Sequence, residues 1–173
     1  MTFNATSLSI ERLKRTTLVE RFGLRATPNV VRRVFVTEEV RAFLDTKEPY
    51  FPRTTAELTF GRFRSGHMVT VSGAMDKRAD FKRMVDTDEV WIMAFRKPKL
   101  GQGRLLGRFV DRNIFVGTVI ASREEIAKVS YAAVAARVID TWDEVTGGIP
   151  PMRSNNFEDY FGPQHIDLDN DYD

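Results

Sequence analysis

From residue 8 to residue 22, Ile10, Leu13, Thr17, Leu18 and Phe22 recur at helical spacing and Gly23 follows as a stop, which predicts an N-terminal amphipathic helix. Val30 to Val36 is rich in β-branched residues and reads as a strand. Thr37-Glu38-Glu39 then offers a capping hydroxyl and two acids for the first turn of a short helix carrying Val40, Phe43 and Leu44, ended by Pro49 and Pro52. Further on, Glu57–Phe63 and Met68–Val71 flank Ser65-Gly66 and predict a hairpin, and residues 76–85 read as a short helix. The run Val90-Trp91-Ile92-Met93-Ala94-Phe95 is apolar without alternation, as expected of a central strand covered on both faces.

Arg104–Val110 and Ile114–Ala121 flank Asp111-Arg112-Asn113 and predict a second hairpin. Ser122-Arg123-Glu124-Glu125 has the form of a capping box. A long helix is expected from there to about Val145, with Ile126, Val129, Ala133, Ala136 and Ile139 as its buried stripe and Gly147-Gly148 followed by Pro150-Pro151 as its stop. The expected fold is thus α+β: an antiparallel sheet of about five strands, an N-terminal helix and a long helix after the last hairpin. Residues 1–150 would form a single domain and 151–173 an acidic, aromatic C-terminal arm.

Composition narrows the chemistry. With 173 residues, 42% of them hydrophobic, the chain can bury one sizeable core. It has no cysteine, which removes disulfides, thiolate metal sites and cysteine nucleophiles together. His67 and His165 lie far apart with no second ligand at helical spacing, so no metal site is expected. Asp167 to Asp173 imitates the first ligands of a calcium loop, but Tyr172 stands where the sharp turn requires Gly. There is no Gly-x-Ser-x-Gly elbow and no Walker loop, and no cofactor is expected. No apolar run is long enough to span a bilayer, and Met1-Thr2-Phe3-Asn4 lacks a secretory pattern; no membrane partner and a cytoplasmic location are therefore expected.

Charge is segregated along the chain. Residues 53–112 hold 13 Lys and Arg against 7 Asp and Glu, whereas residues 140–173 hold 1 against 9. The basic element centres on Arg96, Lys97 and Lys99 and continues through Arg104, Arg108 and Arg112. On a strand, Arg104 and Arg108 share a face and Leu105 and Phe109 share the other, so one hairpin face can present cations over an apolar back. Such a face either solvates an open sheet and guards its edge or holds the phosphates of a nucleic acid. In the acidic arm, Phe157, Tyr160 and Phe161 interleave with Asp167, Asp169 and Asp171; this segment is the candidate for docking on a protein partner, for self-association, or for covering the chain's own basic face.

The stretch from Phe81 to Ile126 resembles the core of the RelE/HigB-like toxin superfamily: Phe81-Lys82 on a helix, Glu89–Arg96 as the central strand, then Arg104–Asp111 and Asn113–Val116. In that family the sheet cuts ribosome-bound messenger RNA with basic and sometimes tyrosine side chains. The resemblance implies that Arg96, Arg104 and Arg108 occupy the basic strand positions, where guanidinium groups can stabilise a pentacovalent phosphate without a histidine base. It departs from the family at Ser122-Arg123-Glu124-Glu125, where a lysine-rich segment belongs. Two functions follow as expectations: a nucleic-acid-binding protein, in the extreme a toxin-like ribonuclease, or a non-enzymatic interaction protein that docks through residues 153–173.

Overall fold

The computed structural model describes residues 5–23, 29–46, 53–75, 78–96 and 103–170. Its helices are α1 (Ala5–Lys14), α2 (Glu38–Asp45), α3 (Arg53–Arg64), α4 (Arg123–Val129), α5 (Tyr131–Thr146) and α6 (Phe157–Phe161). Its strands are β1 (Val19–Arg21), β2 (Arg33–Val36), β3 (Val69–Ser72), β4 (Phe81–Arg83), β5 (Trp91–Phe95), β6 (Gly103–Asp111), β7 (Ile114–Ser122) and β8 (His165–Asp167). The fold is α+β, but the expected antiparallel sheet of about five strands is corrected to one mixed sheet of eight, ordered β1-β2-β7-β6-β5-β4-β3-β8 and curled into a half-barrel. Three pairs are parallel: β3 with its sequence neighbour β4, and β2 with β7 and β3 with β8, which join segments far apart in the chain. None of the described helices is long and apolar enough to cross a membrane.

Both faces of the sheet are covered. On one, Phe81, Trp91, Met93, Leu105, Phe109 and Phe115 pack with Val40 and Leu44 of α2, Ala56, Phe60 and Phe63 of α3, and Tyr160 and Phe161 of α6. On the other, Ile92, Leu106 and Val119 meet Ile126 of α4 and Val134, Ala135 and Val138 of α5, and Phe35, Ile114 and Val116 meet Leu13 of α1 and Trp142 of α5. This explains the unalternating run in β5, all five residues of which are buried at the middle of the sheet.

The local signals of the central hairpin and of the caps are realised. β6 and β7 pair antiparallel, with Asn113 at φ 64 in the turn. Thr37 accepts the Val40 N–H at the head of α2, and Ser122 and Glu125 form the reciprocal capping box of α4. Elsewhere tertiary packing prevails. The N-terminal helix stops at Lys14, because the Thr16 hydroxyl donates to the Leu13 carbonyl and accepts the Leu18 N–H, and the remainder becomes β1.

The predicted strand at Glu57–Phe63 is the helix α3. Ala56, Phe60 and Phe63 face the core at helical spacing while Leu58 stays exposed, so the predicted hairpin at Ser65-Gly66 is a helix end with Gly66 at φ +81. Within the predicted helix 76–85, Asp76 and Lys77 lie outside the described residues and Phe81–Arg83 form β4. The long helix breaks at Ser130, φ 118, which resets its phase. The stripe therefore runs through Val134, Ala135, Val138 and Trp142, and Val129 is exposed.

Gly107 marks a β-bulge where β6 crosses β7 closely: a Cβ there would lie 1.9 Å from the Val116 carbonyl oxygen. Gly107→Ala is expected to cost about 1–3 kcal/mol by overpacking, seen as a lower midpoint in urea unfolding. An unchanged midpoint would show that the bulge relaxes freely.

Candidate nucleic-acid interface

The hairpin parity predicted for Arg104 and Arg108 holds in three dimensions. Both lie on the face of β6 that carries Leu106, the side covered by α4 and α5. Ala94 on β5 and Ala121 on β7 register with Arg104, and their small side chains leave room for its long one. Arg104 is 9% exposed, donates to the Gly103 carbonyl at 3.0 Å and hydrogen-bonds the Tyr131 side chain. Burial lowers its pKa. Tyr131 works in the opposite direction, and the neighbouring charges of Arg123 and Arg96 lower it further.

Arg104 lines a cavity of about 730 Å³ in the α4/α5 layer. Arg78 from the connection between β3 and β4, Lys82 on β4 and Arg123 at the start of α4 line it too, with Asp86 as the one carboxylate among the described lining residues. Lys82 reaches it because β4 is a strand: it registers with Ile92, which registers with Leu106, so all three share the cavity's side of the sheet. The Lys82 ammonium donates to the Met75 carbonyl at 2.8 Å and holds the wall formed by the β3–β4 connection. That wall is tied from its other side by Asp169, which accepts from the Ser72 hydroxyl and the Gly73 N–H, each at 2.6 Å. Met75, Met84, Val85 and Tyr131 supply apolar lining. Among the described residues, four cations line one concavity, which gives it a basic lining.

The other expected cations lie elsewhere. Arg108 is almost fully buried beneath α5, over the Trp142 ring at 5.3 Å, and its charge meets Asp88 at 2.6 Å. Arg153 binds the same carboxylate at 2.6 and 2.8 Å. Burial alone would raise the Asp88 pKa, but the Arg153 hydrogen bonds and the Arg108 charge outweigh it and hold the carboxyl below its ordinary value. Arg108 is thus a structural ion. Arg96 is exposed, 3.9 Å from Asp80, and lines a smaller hollow of about 270 Å³ with Arg62 and His67. Arg112 is exposed at the β6–β7 turn, beside Gly162. Lys97 and Lys99 lie outside the described residues.

The acidic aromatic segment is built into the fold. Phe157, Tyr160 and Phe161 are buried, with Tyr160 4.9 Å and Phe161 5.5 Å from Trp91 between ring centroids. The Tyr160 hydroxyl donates to Glu89 at 2.6 Å, and its burial raises its pKa. Asp167 accepts the Asp169 N–H at 2.9 Å in the turn after β8; Asp171 lies outside the described residues.

Sequence reasoning missed Arg78, Lys82, Arg123 and Tyr131. Lys82 was hidden by the helical reading of 76–85 and Arg123 by its position behind a helix cap. The strand parity of Lys82 was available in Phe81-Lys82-Arg83, had that segment been taken as extended. No protein-family model, curated protein or solved structure matches the chain.

Proposed function

We propose that the protein binds nucleic acid, with phosphate oxygens received in the cavity by Arg104, Arg123, Arg78 and Lys82. The observation that supports this most is the convergence of these four side chains from β3–β4, β4, β6 and α4 on one concavity whose deepest cation, Arg104, is nine-tenths buried. Guanidinium and ammonium groups gathered in one hollow offer charge-assisted hydrogen bonds to phosphate oxygens, and these are stronger away from bulk water. Toxin-like ribonuclease activity is the stronger form of the same proposal: Arg104, one of the basic positions in the RelE/HigB-like resemblance, would stabilise charge on a phosphate under attack. Docking through residues 153–173 draws less support, because Phe157, Tyr160 and Phe161 face the core.

Fluorescence anisotropy with labelled oligonucleotides tests the proposal. Four phosphate contacts on a single strand predict that affinity falls about fifty-fold between about 50 and about 200 mM salt. Arg104→Ala with Arg123→Ala should weaken binding and roughly halve the slope of log affinity against log salt. Absence of binding, or binding indifferent to salt and to both substitutions, would overturn the proposal. RNA cleavage by the wild type and its loss in the double variant would be the sign of the ribonuclease.

A further inference from the structure

The cavity's shape restricts what form the nucleic acid can take. Arg104 is 9% exposed and Met84 6% exposed, so the inner surface of the site lies below the protein surface. The phosphates of a stacked duplex sit on a convex cylinder and can reach rim cations only. A group that touches Arg104 must enter the concavity. Its volume, about 730 Å³, is far larger than a phosphate requires and falls within the range of pockets that enclose small organic molecules. Part of the lining also has no use for phosphate: Met75, Met84 and Val85 are apolar, and Tyr131 offers an aromatic ring whose hydroxyl is already held by Arg104. Thioethers and a fixed aromatic ring are surfaces on which a flat heterocycle packs.

From this we infer that the cavity takes one unstacked nucleotide of a single-stranded nucleic acid, its phosphate on Arg104 and Arg123 and its base against Tyr131 and the two methionines. The inference rests on the nucleic-acid reading and adds to it the strand state and the base. A nucleotide already free of pairing enters without the cost of leaving a duplex stack, so single strands are preferred.

The test uses the full chain and a single-stranded oligonucleotide carrying 2-aminopurine, whose fluorescence rises when it unstacks. Binding is expected to raise the signal several-fold, and the matching duplex should bind at least about tenfold more weakly. Tyr131→Ala should cost roughly tenfold in affinity with the salt slope unchanged, and Tyr131→Phe should retain the fluorescence rise. Val85→Asp, at a position 61% exposed and thus tolerant of change, should weaken single-strand binding by charge at the rim. Thermal melting confirms that each variant is folded. Duplex bound as tightly as single strand, with no fluorescence rise, would overturn this inference and leave the nucleic-acid reading standing. Failure of both forms to bind would overturn both. Competition by free nucleoside monophosphate at concentrations equal to the oligonucleotide would overturn the assignment to a strand.

Discussion

Truncation after Pro151 is expected to yield a chain without a cooperative unfolding transition. The removed segment contributes Phe157, Tyr160 and Phe161 to the aromatic core, where Phe161 stands 5.0 Å from Phe81 and 5.1 Å from Phe109 between ring centroids. Losing a buried aromatic side chain costs about 3–5 kcal/mol, and three such losses, about 9–15 kcal/mol, are comparable with the roughly 5–15 kcal/mol that a domain has in total. Truncation also strips β8 from β3, leaving that strand as an unpaired edge, and removes the Tyr160 carbonyl that accepts the Asn113 N–H of the central hairpin turn at 2.8 Å. Circular dichroism with thermal melting is the direct measurement. A truncated protein that still melts cooperatively near the wild-type temperature would show that α6 and β8 are an appendage.

Arg32→Met is expected to be the most damaging single substitution of a polar residue. Arg32 is fully buried, yet among the described residues no carboxylate receives it. Its guanidinium donates to the carbonyls of His67 and Gln164 at 2.8 Å, of Phe161 at 3.2 Å and of Phe63 at 3.3 Å, and it lies 5.1 Å from the Phe63 ring centroid. Burial pulls its pKa down to about 10, so it remains a cation at neutral pH. Carbonyls at the ends of α3 and α6 are where helices carry partial negative charge. One residue thereby ties the start of β2 to the end of α3 and to the C-terminal segment. Methionine fills similar space but leaves four carbonyls facing an apolar group, at an expected cost of about 3–5 kcal/mol and a melting temperature lower by about 10 °C. Arg32→Lys keeps the charge without the planar fork and should recover less than half of that loss. A melting temperature within 2 °C or so of wild type for Arg32→Met would show that water satisfies the carbonyls.

Several features depended only on residues near one another in the chain, and these were legible without coordinates. The Thr37 cap, the Ser122 capping box, the Asn113 turn, the stop at Gly147 and the buried run around Trp91 each follow from hydrogen bonds or hydrophobicity within a few positions. Even there, local preference failed where two readings were nearly balanced. Ala56, Phe60 and Phe63 suit a helix face, but the β-branched and aromatic residues around them suit a strand as well, and contact with the sheet decided for the helix.

The amino-acid sequence by itself determined an α+β chain with a central hairpin, fixed helix caps and a concentration of cations before residue 112 and of acids after residue 140. Only the tertiary structure decided which charges are available. It buried Arg108 against Asp88, left Arg112 exposed at a turn, and brought Arg104 together with Arg78, Lys82 and Arg123. It also turned the acidic aromatic segment into part of the core. The physical reason is that each outcome depends on contacts between separated segments: Arg108 meets Asp88 across 20 positions, Lys82 and Arg104 come to one side of the sheet through the β4–β5–β6 pairings, and β8 pairs with β3 across roughly a hundred residues. Such pairings are chosen by the free energy of the whole core, and no short window of sequence contains that quantity.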